Sequence, residues 1–104
     1  MSKPVQMSAG KDSAQVQIKA DEKELFGVYS TSAQLVHSAE EFTLDFFYIS
    51  PNPPVGKLVG RVIMSPGHAK RLLGALADNV RKYEAQYGEI KPPSQPEPEI
   101  GFVQ

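Results

Sequence analysis

The residues best suited to chemistry gather where a predicted strand meets a predicted helix. A helix that begins at Ser65 would offer unpaired N–H groups and the positive end of its dipole to a phosphate or carboxylate. The anion-binding candidates around this point are Arg61, Ser65, Gly67, His68, Lys70 and Arg71. The same residues can simply cap the helix and solvate its outer face. Capping is the favoured interpretation, because the glycine-rich or Gly-Lys-Ser/Thr loop of established phosphate sites is missing.

The other reactive side chains have structural explanations. His37 and His68 are distant in sequence and the chain has no cysteine, so it supplies too few ligands for zinc. Asp45 lies within an apolar strand, where a cross-strand ion pair with Arg61 would satisfy its charge. The hydroxyls of residues 30–32 have no nucleophile motif around them. We therefore predict no catalytic residue, no metal site and no cofactor, and we expect a protein that is not an enzyme.

Three segments show the apolar–polar alternation of β-strands. They are Phe26–His37, Glu41–Ser50 and Lys57–Met64, and the links between them are short enough for hairpins. A weaker fourth strand is predicted at Gln15–Lys19. Together these segments predict a three- to four-stranded antiparallel β-meander.

A long amphipathic helix is predicted directly after the last strand. Ser65 is a favourable N-cap, Pro66 suits the first helical position, and Gly88 suits the C-terminal cap. Apolar residues three and four positions apart form a continuous stripe; they are Ala69, Leu72, Leu73, Leu76, Val80, Tyr83 and Tyr87. The predicted fold class is therefore α+β, a meander followed by one long helix.

Length and composition limit the classes of protein that remain. A chain of 104 residues and 11.4 kDa has room for one domain, and its net charge of -1 gives no general attraction to nucleic acid or anionic membranes. No apolar run is long enough to span a bilayer, and no signal peptide is recognised, so the expected location is the cytoplasm. We expect residues 1–13 to be disordered, residues 14–91 to form the domain, and residues 92–104 to be a Pro/Glu-rich tail.

The strongest strand and the start of the helix also carry a family resemblance. The runs EEFTLDFFYISP and GKLVGRVIMSPGHAKRLLGAL, together with the Lys-Tyr-Glu end of the helix, resemble small bacterial and archaeal proteins classed as domain of unknown function 3467. The resemblance covers about Lys23 to Lys91. It supports the domain boundaries and implies no particular activity.

The strand Glu41–Ser50 is apolar on both faces, whereas the helix can cover only one. If Leu72, Leu73 and Leu76 pack on one face, the other face stays exposed, with the interface candidates Phe47, Ile49, Val59 and Ile63. An exposed apolar patch of this kind usually marks a protein interface, which predicts a homodimer or a higher homo-oligomer. The alternative is that the N-terminal strand and the tail fold back over this face.

The tail ends in apolar residues behind its proline-rich stretch. Ile100, Phe102 and Val103 have the arrangement of a tethered docking peptide for a protein partner, although a disordered end is the simpler interpretation. The predicted function is a non-enzymatic, oligomeric interaction or scaffold module. The alternatives are a weak nucleic-acid or anion binder acting through the helix start and residues 61–71, and a chaperone-like peptide binder. The strand Glu41–Ser50 contains no basic residue, which disfavours nucleic acid.

Overall fold

The computed structural model describes residues 3–7, 15–93 and 98–103. The elements follow in the order β1 (Lys3–Met7), β2 (Val16–Ala20), α1 (Glu22–Phe26), β3 (Ser32–His37), β4 (Phe42–Pro51), β5 (Pro54–Met64) and α2 (Pro66–Tyr87). The antiparallel sheet and the long helix confirm the predicted α+β class.

The N-terminal part differs from the prediction. β1 lies within the segment expected to be disordered and pairs with β2, with Val5 opposite Ile18. These two strands form a separate two-stranded sheet, so the weak strand near Gln15–Lys19 does not join the meander. The expectation of disorder was wrong for Lys3–Met7, because this segment pairs its backbone with β2, the next strand along the chain.

Only the second half of the predicted strand Phe26–His37 is a strand. Its first residue, Phe26, is the last residue of the short helix α1. A capping box begins this helix: Glu24 N–H donates to the Asp21 carboxylate, and Asp21 N–H donates to Glu24 Oε1. Gly27 ends α1 at φ 73°, a conformation that side chains with a Cβ rarely adopt. β3 therefore begins only at Ser32.

The meander has the order β3-β4-β5, with β4 in the centre. Residues directly opposite in neighbouring strands share a face, so the register defines two faces. We call one the Leu44 face; its rows are His37–Phe42–Met64, Leu35–Leu44–Val62 and Ala33–Phe46–Gly60. We call the other the Phe47 face; its rows are Val36–Thr43–Ile63, Gln34–Asp45–Arg61 and Ser32–Phe47–Leu58. The pairing skips Val59, which forms a β-bulge opposite Phe46 and Phe47.

Helix α2 has the predicted caps. Ser65 Oγ accepts a hydrogen bond from His68 N–H at 3.1 Å, Pro66 is the first helical residue, and Gly88 ends the helix at φ 100°. Only Ser65 separates α2 from β5, so the chain has no loop in which to turn the helix back onto its own sheet. Within the described part of the chain no residue of α2 is buried.

The expectation that α2 covers one face of its own sheet is therefore wrong. In its described residues the chain buries only three apolar side chains, those of Leu44, Phe47 and Met64. The exposed large apolar residues of the helix are Leu72, Leu73, Leu76, Val80, Tyr83 and Tyr87. The apolar stripe that the sequence predicts is thus present and uncovered.

Candidate functional site

The centre of the Phe47 face is an ion pair between neighbouring strands. Arg61 donates two hydrogen bonds to the Asp45 carboxylate, from Nε to Oδ1 at 2.6 Å and from an Nη to Oδ2 at 2.9 Å. Asp45 is buried while half of the Arg61 side chain is exposed. Because a planar guanidinium fits both carboxylate oxygens, this is the pairing that holds a buried charge most specifically. The predicted partner of Asp45 is confirmed.

The ion pair changes the titration of both groups. Hydrogen bonding by Arg61 lowers the pKa of Asp45 below its ordinary value, and this effect and the charge of Arg61 together outweigh burial, which acts in the opposite direction. In return, the hydrogen bonds to Asp45 raise the pKa of Arg61. The carboxylate is therefore held in its ionised form and is not poised to act as a proton donor near neutral pH.

We expect the Asp45 carboxylate to make the free energy of unfolding depend on pH in the acidic range. Since its folded pKa is lowered, its contribution is complete above the unfolded pKa, near 3.8, and is lost as the pH falls through the folded pKa. Urea unfolding at fixed protein concentration between about pH 5 and pH 2 should show the wild type losing its advantage over Asp45→Asn.

Asp78→Asn is the matched control. The pKa of Asp78 is also lowered, first by the hydrogen bond from Arg81 and then by Lys82, but its carboxylate is exposed on α2. Exposed ion pairs contribute little, so this variant should remain close to wild type at every pH. If the stability advantage of wild type over Asp45→Asn did not change with pH, Arg61 would not stabilise the ionised form of the Asp45 carboxylate.

Hydroxyl groups at the start of β3 complete the hydrogen bonding of β4. Thr31 N–H donates to the Phe47 carbonyl at 2.8 Å, and Ser30 Oγ donates to the same oxygen at 3.1 Å. Ile49 N–H donates to Thr31 Oγ1 at 3.0 Å. The hydroxyls of Ser30 and Thr31 thus serve the backbone of the central strand.

The anion-binding candidates are divided between the sheet and the start of α2. Arg61 lies on the sheet and is engaged by Asp45, whereas Ser65 uses its hydroxyl to cap α2. Gly67, His68, Lys70 and Arg71 are all exposed on the first turns of the helix. Anion binding at the helix start stays a prediction.

The two histidines lie on different elements, His37 at the end of β3 and His68 in the first turn of α2. His37 stacks on its cross-strand neighbour Phe42, with ring centroids 5.3 Å apart. In the described residues no three His, Asp or Glu side chains approach one another closely enough to hold a metal ion.

The interface candidates of the sequence lie in three different environments. Phe47 is only 4% exposed, Ile49 and Val59 are half-buried, and Ile63 is exposed. Phe47 is covered because the end of the chain folds back over it, with the Phe102 ring centroid 5.8 Å from that of Phe47. The expectation that Phe47 is exposed was therefore wrong. The alternative was that the N-terminal strand and the tail fold back over this face, and the tail does cover the part around Phe47.

The surfaces that remain open are the stripe of α2 and the Leu44 face. On that face Leu35, Tyr48 and Val62 are exposed around the buried Leu44 and Met64. The three rows of this face contain no Asp, Glu, Lys or Arg, and Lys57 lies beyond them opposite Tyr48, whereas the middle row of the Phe47 face is Gln34–Asp45–Arg61. This open surface was not predicted from the sequence, because α2 was expected to cover it.

A three-stranded meander that runs through a single residue into a capped helix, with its apolar surfaces open, defines a small α+β domain. The family model described as "Protein of unknown function (DUF3467)" matches residues 1–92, and the chain belongs to this family. No curated protein and no solved structure shows a match to the chain. No helix among the described residues is long and apolar enough to cross a membrane.

Proposed function

We propose that the protein is a homodimeric interaction module in which the apolar stripe of α2 packs on the Leu44 face of a second copy. The observation that supports this proposal is the uncovered stripe. Fully burying one large aliphatic side chain contributes about 1.5–3 kcal/mol, and α2 leaves six large apolar residues open to water. A helix of this length gains most of its stability from packing such a stripe.

The extent of the exposed surface supports a large contact with a partner. The chain exposes 9579 Å², whereas a compact monomer of 11.4 kDa exposes about 5,800 Å². Its radius of gyration is 16.9 Å, against about 13 Å for a compact chain of this length. A standard interface removes about 800 Å² from each partner, so the excess is large enough for an interface of that size.

A second copy is the partner that satisfies both open surfaces at once. In a twofold arrangement each chain contributes one helix and receives one, so both stripes and both Leu44 faces become buried. The lengths agree, because the 22 residues of α2 extend about 33 Å and the 10 residues of β4 extend about the same distance. The three rows of the Leu44 face carry no Asp, Glu, Lys or Arg that this contact would have to desolvate, and Lys57, opposite Tyr48, lies beyond them.

Such a dimer would act as a scaffold. The Phe47 faces and the chain ends are not used by the proposed contact, so one assembly would present two copies of them. The activity would therefore consist of binding, in agreement with the absence of a catalytic motif in the sequence.

Sedimentation velocity tests the proposal on the full chain. We expect a species with twice the 11.4 kDa mass of one chain at micromolar concentration, and a melting temperature that rises with protein concentration, because folding and association are coupled. A folded monomer with a concentration-independent melting temperature would disprove the proposal. The same result would show that α2 is stable with its stripe in water.

A further inference from the structure

The end of the chain lies across an apolar groove on the Phe47 face. The groove is formed by Phe47 and Ile49 of β4 and Leu58 of β5, and the segment Pro98–Val103 borders it on the open side. Phe102 makes the most specific contact of the segment. Its ring packs on Phe47 at 5.8 Å between centroids, and the Arg61 guanidinium carbon lies 5.9 Å from the centre of the same ring.

The groove has the features of an aromatic-recognition site. Asp45 holds the Arg61 guanidinium by two hydrogen bonds, which fixes its orientation without covering the cation on the side of Phe102. A fixed guanidinium attracts the negative face of an aromatic ring, and Phe47 supplies a second ring contact. An aliphatic side chain would gain only its burial, so the site favours an aromatic residue.

The segment Pro98–Val103 does not fill the groove. A cavity of about 500 Å³ remains between the segment and the β4–β5 hairpin, which is within the usual range of ligand sites. Ile100 is half-buried beside it, and Phe102 is still 56% exposed. This occupant therefore fills only part of the groove and leaves room for a peptide with larger side chains.

The groove and its occupant differ in their relation to the family. Phe47, Ile49, Leu58 and Arg61 all lie within residues 1–92, which the family model matches. Pro98–Val103 lies beyond that range, behind a proline-rich connection. The groove thus lies within the matched residues, whereas the segment that occupies it lies beyond them.

From these contacts we propose that the groove is a docking site for an extended peptide with an aliphatic residue two positions before an aromatic one, and that Pro98–Val103 is its tethered competitor. A peptide of another protein with this pattern would displace the segment. A tether of this length holds the competitor at an effective concentration of about a millimolar, which is enough to screen out weak ligands. The site is built within one chain, so the proposal goes beyond the dimer and does not depend on it.

A labelled peptide with the sequence of residues 92–104 tests this site by fluorescence anisotropy. The proteins are the full-length wild type, Phe102→Ala, which releases the tethered competitor, and Lys91→Ala as the control, because Lys91 is exposed and lies outside both the groove and the segment. We expect Phe102→Ala to bind the peptide about 10-fold more tightly than wild type. Lys91→Ala should bind it as wild type does.

Variants of the peptide test its recognition without changing the protein. With Phe102→Ala as the receptor, a peptide with leucine in place of its phenylalanine should bind several-fold more weakly, and one with alanine should bind more weakly still. Equal binding by wild type and Phe102→Ala would overturn the tethered competitor. Binding that does not distinguish the three peptides would place them elsewhere, for example on the stripe of α2, and would overturn the docking site.

Discussion

Replacement of Leu76 by aspartate is expected to separate the proposed dimer into monomers. Leu76 lies near the middle of the stripe of α2 and is 60% exposed in the single chain. Burial of a leucine contributes about 1.5–3 kcal/mol. A twofold dimer contains the residue twice, so its loss should raise the dissociation constant about 10²- to 10⁴-fold. The aspartate adds the cost of burying a charge without a partner.

Sedimentation equilibrium over a range of concentrations measures this effect. The matched control is Ala85→Asp, which places the same acid on the opposite, polar face of α2, where Ala85 is exposed. It should lower helix propensity by a similar amount and leave the dissociation constant within about 10-fold of wild type. Equal dissociation by both variants would mean that aspartate acts by weakening the helix, and the stripe would not be the interface.

Helix α2 and the Asp45–Arg61 pair could be predicted because their signals are local. Ser65, Pro66 and Gly88 are adjacent to the helix ends that they define, and the stripe follows from the spacing of residues within one element. Asp45 and Arg61 required only one further step, the register of neighbouring strands joined by a short turn. Helix α1 also had a local signal, the capping box of Asp21 and Glu24, which alternation in the following residues obscured.

The positions of α2 and the tail could not be predicted in this way. Apolar periodicity shows that a stripe must be buried, but it does not show which surface buries it. The single-residue link at Ser65 was visible in the sequence, and it argues against a helix lying on its own sheet. The contact of Phe102 with Phe47 joins residues far apart in the chain through a proline-rich connection, so it depends on the assembled sheet.

The two faces of the sheet can be distinguished by substituting neighbouring residues of β3. Leu35 and Val36 are 60% and 55% exposed in the single chain, and they point to opposite faces. If α2 of a second copy covers the Leu44 face, Leu35→Asp should raise the dissociation constant about 10²- to 10⁴-fold, as Leu76→Asp does. Val36→Asp should change it by less than about 10-fold, although replacing a β-branched valine loses at least as much strand propensity as replacing leucine.

The opposite result would assign the dimer to the other face. Val36 shares its row with Ile63, one of the interface residues suggested by the sequence. Dissociation by Val36→Asp alone would therefore place the interface on the open part of the Phe47 face, beside the Asp45–Arg61 pair. If neither variant dissociated while Leu76→Asp did, the two helices would pack only on each other and the Leu44 face would remain in solvent. Sedimentation equilibrium of the three variants at equal concentrations decides among these arrangements, because each arrangement predicts that different variants dissociate into monomers.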